Sequence, residues 1–596
     1  MPACDYPHVA EETGSPFAAN GRLRCIVGPF TWMQTAKTMS RPDVIVIGAG
    51  SAGCALAGRL AASGERRVLL LEAGGGNRHP LITAPVAWPM ASIDPRFGWG
   101  YQGEAEQQLS GRGLDMPRGR LMGGTASING MMYSRGQRED YDGWHAQGLD
   151  GWSYADVLPY FRRSEANWRG STQWHGGEGP VAVTSNRRVP QVYDGLLAAA
   201  RELGFDENED FNGANQAGFG VPDFTVRRTR RESSATGYLE LPQVDRQLVI
   251  RRQVHVSRIV VEHGRATGVE LLQPQGREVL QAAEIVLAAG TFNSPHLLLL
   301  SGIGAAAALH RHGLAVVADL PAVGRNLQDH PMLQMAYAAS TSLGFEEGLR
   351  LDRLAGSALA WLLRIGGLLD AAPLGIQGFV NRSDPSARPD TQFQVSTGSP
   401  MSRPWLPGWR KPSADTIGVG ILQLDPRSRG VVELKSRDPR QLPAVRSNFL
   451  VDPYDRQAAR EMFAFVRRFF ATAAMQKLAG PELMPGPATV DDRGVPPLPR
   501  AAGGALVGGA VGDHGRADPR AHQRDHGVPA AAPGAEPELG LALGLGAVVE
   551  VQRQPDARVP DQCLERDRVP ADHLGVHYRG RSTLDRAGQA DPDAQD

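Results

Sequence analysis

Cysteine is scarce in this chain. Cys4, Cys25, Cys54 and Cys563 are scattered through 596 residues, and none forms a C-x-x-C pair. That spacing argues against a disulfide framework and a zinc site, and it suits a reducing, cytoplasmic setting. Surplus charge is missing too: 63 Lys and Arg stand against 64 Asp and Glu, for a net −1. No basic footprint therefore points to nucleic acid. No apolar run approaches the roughly 20 residues of a membrane helix, so no transmembrane segment is expected. Internal repeats are absent.

The most uneven absence lies at the C-terminal end. The chain holds 17 Phe, 14 Met and 10 Trp, yet none occurs from Ala488 to Asp596, and Ile, Lys and Asn are missing there as well. What remains is mostly Ala, Gly, Pro, Arg, Asp, Val and Leu. These are residues of GC-rich codons, as in a GC-rich gene read out of frame. A solvated low-complexity tail is the alternative. Residues 1–38 lack the charged start, apolar core and small-residue cleavage site of a secretory signal. Met39 lies just before the first regular unit, so 1–40 read as a non-native extension.

What is present begins at Asp43. DVIVIGAGSAG runs to Gly53, and VLLLEAG follows, with Glu72 closing a second apolar strand. Gly48 permits a tight turn, Gly50 lets a pyrophosphate approach the backbone, and Gly53 lets helix and strand pack closely. The helix start, with Ser51 and Ala52, offers free N–H groups and a positive dipole end. Glu72, followed by Ala73, stands where a carboxylate accepts from ribose hydroxyls. A dinucleotide site is expected here.

Further along, Gly151 to Ala166 reads as a helix on the spacing of Trp152, Val157, Leu158 and Phe161. Residues 246–288 alternate as a β-meander feeding a buried strand at 285–288. His296 to Gly304 continues as a helix, and another apolar helix lies near Leu354 to Leu369. Three patches are rich in glycine and small polar residues: GRLMGGTASINGMMYSRG (Gly119 to Gly136), GTFNSPHLLLLSGIG (Gly290 to Gly304) and VGRNLQDHP (Val323 to Pro331). Such loops bring backbone N–H groups near a flat or anionic ligand.

Taken in order from Pro42 to Pro487, these motifs, together with DYDGWHAQGLDGWSYADVLPYF and SRGVVELKSRDP, resemble the glucose–methanol–choline family of flavin oxidoreductases. The resemblance implies an α/β fold, with a Rossmann-like FAD-binding domain, a second α+β substrate-binding domain, and a C-terminal closing element missing. The main FAD part would span 41–330, and the substrate region with the start of the C-terminal region 331–487. Residues 488–596 would be the aberrant tail. It implies FAD rather than NAD, with Gly48, Gly50 and Gly53 on the pyrophosphate and Glu72 on the adenosine ribose. Thr125, Asn129, Gly130, Met131 and Met132 would lie along the flavin and ribityl chain, and the Val254 backbone at the adenine. Some relatives carry a covalent flavin on a histidine just before the motif Asn. That position is Ile128 here, so the FAD would be non-covalent.

Family enzymes oxidise an alcohol to a carbonyl, and their electrons pass to oxygen or a quinone-type acceptor. Their base is a histidine in a Y-H-P-x-G-T-like segment, partnered from an S-G-N-x-x-A-P-like segment. Neither segment occurs in residues 488–596. His514, His522, His526, His573 and His577 lie there without matching context, so no catalytic residue is assigned. His296 and His330 are expected to make local hydrogen bonds. The chain is therefore expected to be an alcohol or choline-type dehydrogenase of impaired activity. An inactive flavin-binding relative is the alternative, and an NAD(P)-linked dehydrogenase leaves the later motifs unexplained. Trp361 to Asn381 supplies a mainly apolar candidate pocket with Gln377 and Asn381. Glu346, Glu347 and Trp361 could serve as a cation cage, but surface acids and a core Trp are the favoured reading.

Overall fold

The computed structural model describes residues 41–486 apart from 186–191, 242–243, 275, 371–373 and 399–401. Its first layer is a parallel sheet. β1 (Val44–Ile47) leads through a glycine turn into α1 (Ser51–Ala62) and returns as β2 (Val68–Leu71). β1 and β2 are apolar at every position because both faces of this sheet are covered. Val44, Val46, Val68 and Leu70 pack against Cys54, Ala57 and Ala61 of α1. Ile45, Ile47, Leu69 and Leu71 point the other way, into a core with Ile259, Val269, Leu271 and Leu297.

The Gly151–Ala166 segment forms α2 only over Tyr154–Ser164, with a capping box between Ser153 and Asp156. Trp152 lies before it, exposed, and Glu165 already belongs to a short strand. α3 (Val192–Glu202) and β3 (Gly218–Gly220) follow. The alternating stretch from 246 divides in two. β4 (Leu248–Arg251) joins the parallel sheet beside β2, and only β5 (His255–Glu262), β6 (Arg265–Gln273) and β7 (Gly276–Gln281) make the meander. β8 (Glu284–Leu287) returns to the first sheet, whose order is β8-β1-β2-β4. It is an edge strand and half-buried, not the buried strand expected from its composition. α4 (Gly290–Leu300) stops at Leu300, and Ile303–Gly304 forms a two-residue strand, so the helix does not run on to Gly304.

The second layer is antiparallel. β9 (Met332–Ala339), the helix α5 (Leu351–Leu362), β10 (Leu374–Val380), β11 (Thr391–Ser396) and β12 (Thr416–Gln423) precede the long helix α6 (Pro453–Phe470) and β13 (Ala479–Met484). The sheet order is β13-β9-β12-β11-β10-β3, so a strand from before residue 330 completes it. α6 starts at Asp452, whose side chain accepts from the Tyr454 N–H, with Pro453 in the first turn. Its buried residues Ala458, Met462, Phe465, Val466, Phe469 and Phe470 fall at helical spacing. They meet Phe219 and Phe393 in an aromatic core. Asp455, fully buried, accepts from Gln423 Nε2 and from the N–H groups of Arg427 and Ser428, tying α6 to the end of β12. Among the described residues no helix is long and apolar enough to cross a membrane.

Candidate functional site

The site grows from the carboxyl end of β1. Gly48 takes φ +98°, and a Cβ there would lie 2.5 Å from the Ala288 carbonyl oxygen. Gly53 is confined even more, since a Cβ would meet the Gly48 carbonyl oxygen at 1.9 Å. Gly50 differs: a Cβ added there meets nothing within 4 Å. Gly50 is the N-cap of α1 and gives it no side-chain cap, while Ser51 and Ala52 are exposed. The α1 N-terminus is thus open, with uncapped donors facing free space.

Glu72 braces this turn from below. Its Oε2 accepts from the Ala49 N–H at 2.9 Å and its Oε1 from the Gly74 N–H at 2.8 Å. It is only 6 % exposed, and burial raises its pKa against the lowering effect of those bonds. The half-buried Ala73 separates Glu72 from Gly74. The Val254 N–H donates to the Glu72 carbonyl at 2.9 Å, so that donor is already used by the fold.

The second glycine loop lies directly on the first. The Gly123 N–H donates to Ala49 O at 2.7 Å, and the Met122 N–H to Gly75 O at 2.9 Å. A Cβ on Gly124 would sit 2.8 Å from Gly50 Cα. From there a short 3-10 turn, Gly124–Ser127, carries the chain to Asn129. Thr125 Oγ1 accepts from the Gly119 N–H at 3.1 Å, and its carbonyl accepts from the Asn129 N–H. Asn129 is exposed, Gly130 and Met132 are half-buried, and Met131 is buried with φ +63°. Asn129 Oδ1 accepts from the Met131 N–H, which holds that left-handed residue in place. Ile128 turns inward among Ile82, Ala91, Phe97 and Leu121. The structure therefore packs the 48–53 turn, Glu72 and the start of the loop that carries residues 125–132 against one another, with Ala288, just before α4, against Gly48.

Other expectations separate. Trp361 packs with Ala84 and Ala87, its indole N–H donates to the Thr229 carbonyl, and Arg230 stacks on it. Glu346 instead sits under Trp405, whose indole donates to the Glu346 carbonyl at 2.7 Å, and Glu347 pairs with Arg353. The proposed cage of Glu346, Glu347 and Trp361 thus has a different aromatic beside Glu346. Gln377 is fully buried beside Ser134 and Gln392, while Asn381 accepts from the backbone of Ser383 and Asp384 in a turn. The two do not line a common pocket. A cleft of about 790 Å³ lies elsewhere, between Arg135–Glu139, Gly204–Gly218 and Pro385–Pro389.

The two expected histidines differ in their hydrogen bonding. His296 is buried with no partner at Nε2, and burial depresses its pKa to about 4. His330 is half-buried, its pKa also lowered by desolvation, against the opposing effect of a hydrogen bond to the Leu424 backbone. Its backbone N–H donates to Asp329 Oδ1 at 2.9 Å. Asp329 faces Arg118 at 3.6 Å, and burial pushes its carboxyl up to about 6. The five tail histidines lie outside the described residues.

Arg231 was not foreseen. It is 5 % exposed and donates to three oxygens: Nε to Ile82 O at 2.9 Å, Nη1 to Ala126 O at 3.2 Å and Nη1 to Asn129 Oδ1 at 2.9 Å. Its signal in the sequence, the run RRTRRES, has the composition of a solvated charged face.

A βα glycine turn, an acid at the end of the second strand and a second glycine loop laid on the first define a dinucleotide-dependent oxidoreductase. The chain belongs to the GMC oxidoreductase family. The family's N-terminal model matches residues 42–332 and its C-terminal model residues 426–499, which carries the likeness past Pro487. The family's cofactor is FAD. The chain is 37% identical over 453 residues to the oxygen-dependent choline dehydrogenase of Rhizobium etli, covering 76% of this chain and 81% of that protein. It is 35% identical over 447 residues to the protein of that name from Photobacterium profundum, covering 74% and 78%. Among solved structures, pyridoxine 4-oxidase from Mesorbium loti superposes with a TM-score of 0.65 at 26% identity, covering 74% of this chain and 83% of that one. A variant of formate oxidase from Aspergillus oryzae reaches 0.68 at 24%, covering 75% and 84%, and there the likeness is one of fold.

Proposed function

We propose that this chain holds FAD non-covalently and is built for oxidation of a small alcohol, CH–OH, to the carbonyl. The observation that carries the reading is the open Gly50 position at the uncapped start of α1, flanked by the 123–132 loop. An atom-sized space in front of unpaired N–H groups fits a pyrophosphate. Gly48, Gly50, Ser51, Ala52 and Gly53 would hold the phosphates. Glu72 and Ala73 would stand at the ribose, with the second lone pairs of the carboxylate still free to accept. Val254 would read the adenine through its carbonyl. Thr125, Asn129, Gly130, Met131 and Met132 would lie along the flavin. Ile128, buried in an apolar cluster, offers no nucleophile for a covalent link. When bound, FAD supplies the hydride acceptor, and the protein supplies orientation and electrostatics.

Choline is a candidate substrate on the strength of the relatives' names, and oxygen or a quinone-type compound a candidate acceptor. A second reading rests on the tail. Without the family's histidine segments the chain would bind FAD and turn over alcohols slowly or not at all. The test is to saturate the purified chain with FAD and precipitate it with acid. Flavin in the supernatant supports the non-covalent site, and flavin in the pellet overturns it. No flavin uptake at all refutes the whole reading. Choline and short aliphatic alcohols, assayed with oxygen and with an artificial quinone, then separate the active reading from the inactive one.

A further inference from the structure

Burying a guanidinium without a carboxylate costs several kcal/mol in general, so such residues are rare outside functional sites. Arg231 is one. Among the described residues no ion pair to it exists, and the neighbouring Glu232 carboxylate is taken by Arg227 and Thr236. Burial alone lowers its pKa, to about 9, with no nearby acid to offset it. Its Nη2 is buried with no hydrogen-bond partner. The bonds it does make go to Ile82 O in the short helix Pro80–Thr83 and to Ala126 O and Asn129 Oδ1 in the 124–129 segment. Asn129 in turn holds Met131 in its left-handed conformation.

We infer that Arg231 is the positioning residue of the 126–131 loop, and that its unbalanced positive charge serves electrons arriving on a cofactor bound against that loop. The second half rests on the FAD reading above. The first half does not, because the hydrogen bonds exist without any ligand. A purely structural arginine would be satisfied by a paired acid or could be replaced by an apolar side chain of similar length. Here the charge has no acid beside it and rests directly on the exposed Asn129. A positive charge at that place favours the added electrons and raises the cofactor's potential.

The test compares the wild-type chain with Arg231→Met and Arg231→Lys. In the cofactor-free protein, hydrogen exchange is followed in peptides covering residues 124–132. Arg231→Met should speed exchange there by at least about tenfold, while peptides from β1 and α6 stay unchanged. An unchanged loop overturns the positioning role. With FAD bound, the two-electron midpoint potential is measured. Arg231→Met should bind the reduced cofactor about tenfold less well relative to the oxidised one, a drop of about 30 mV. Arg231→Lys should keep the potential but not the loop protection. A potential in Arg231→Met equal to that of the wild type overturns the electrostatic role. If the wild type takes up no FAD, the cofactor reading and the electrostatic role fall together, while the exchange measurement still decides the positioning role. Should Arg231→Met not fold, Asn129→Ala removes the acceptor from the opposite side and must loosen the same peptides.

Discussion

Replacing Gly50 with alanine separates binding from folding. The backbone there has φ −77° and ψ −166°, which any L-residue adopts, and the new Cβ meets nothing within 4 Å. The cofactor-free variant should therefore be as stable as the wild type, or more stable by up to about 1 kcal/mol through the unfolded chain's lost entropy. The same methyl group occupies the space in front of the α1 N–H groups. A charge-assisted hydrogen bond to a phosphate is worth about 1.5–3 kcal/mol, so loss of one weakens FAD binding by about 10- to 100-fold. Urea unfolding of the FAD-free protein and FAD titration by flavin fluorescence read the two effects separately. Gly53→Ala is the control. Its Cβ would lie 1.9 Å from a backbone carbonyl oxygen, and it should lose about 3 kcal/mol or more of stability before any cofactor is added. A Gly50→Ala protein of wild-type FAD affinity would refute the assignment of the pyrophosphate to this turn. One that unfolds early would refute the open space itself.

Three further outcomes follow from buried charges and a buried thiol. Arg118→Met leaves Asp329 without its counter-ion, so the loss, about 3–5 kcal/mol at pH 8, should shrink as pH falls towards about 6 and level off below it, because the carboxyl, pushed up to about 6 with Arg118 in place, takes up its proton at a higher pH once that charge is gone; denaturation at several pH values checks it. His175 sits between Glu165 and Asp210, 3.0 and 2.9 Å away, and its pKa is raised from 6.5 to about 9 despite burial. Its raised pKa means that its contribution, on the order of 2 kcal/mol, is complete below pH 6.5 and lost as pH rises through about 9; a His175→Gln chain should lack that decline in melting temperature. Cys54 donates to the Ala49 carbonyl, and desolvation raises its thiol to about 12. Iodoacetamide at pH 8 should leave Cys54 unmodified in the native protein and alkylate it in urea, as peptide mass spectrometry would show.

The first layer was legible because its signals are local. VIVI and VLLL are continuous apolar runs, and each glycine role follows from backbone geometry within six residues. The tight backbone of the 48–53 turn was legible for the same reason. What failed was long-range. LVIR reads like the first strand of the meander, but its partner is β2, nearly two hundred residues earlier. EIVL carries three consecutive apolar residues after Glu284, yet it takes an edge, and an edge is a property of the neighbours. Trp152 satisfies a helical spacing and still falls before the cap at Ser153. Arg231 was hidden because charge alone does not reveal burial. Only the folded chain shows that one arginine of four in VRRTRRE turns inward while its neighbour Arg230 stacks on Trp361.

The contact between Gly50 and Gly124 ties two distant stretches of sequence into one inherited unit. Neither loop can be exchanged for that of another protein without regard to the other. A chimera that takes its first βα turn from one parent and its 119–136 segment from another would join correctly only when the parent of the 119–136 segment places a glycine at 124, where a Cβ would meet the Gly50 backbone. Domain grafting and directed evolution on this scaffold should therefore move residues 44–76 and 119–136 as a single cassette, even though more than forty residues separate them along the chain.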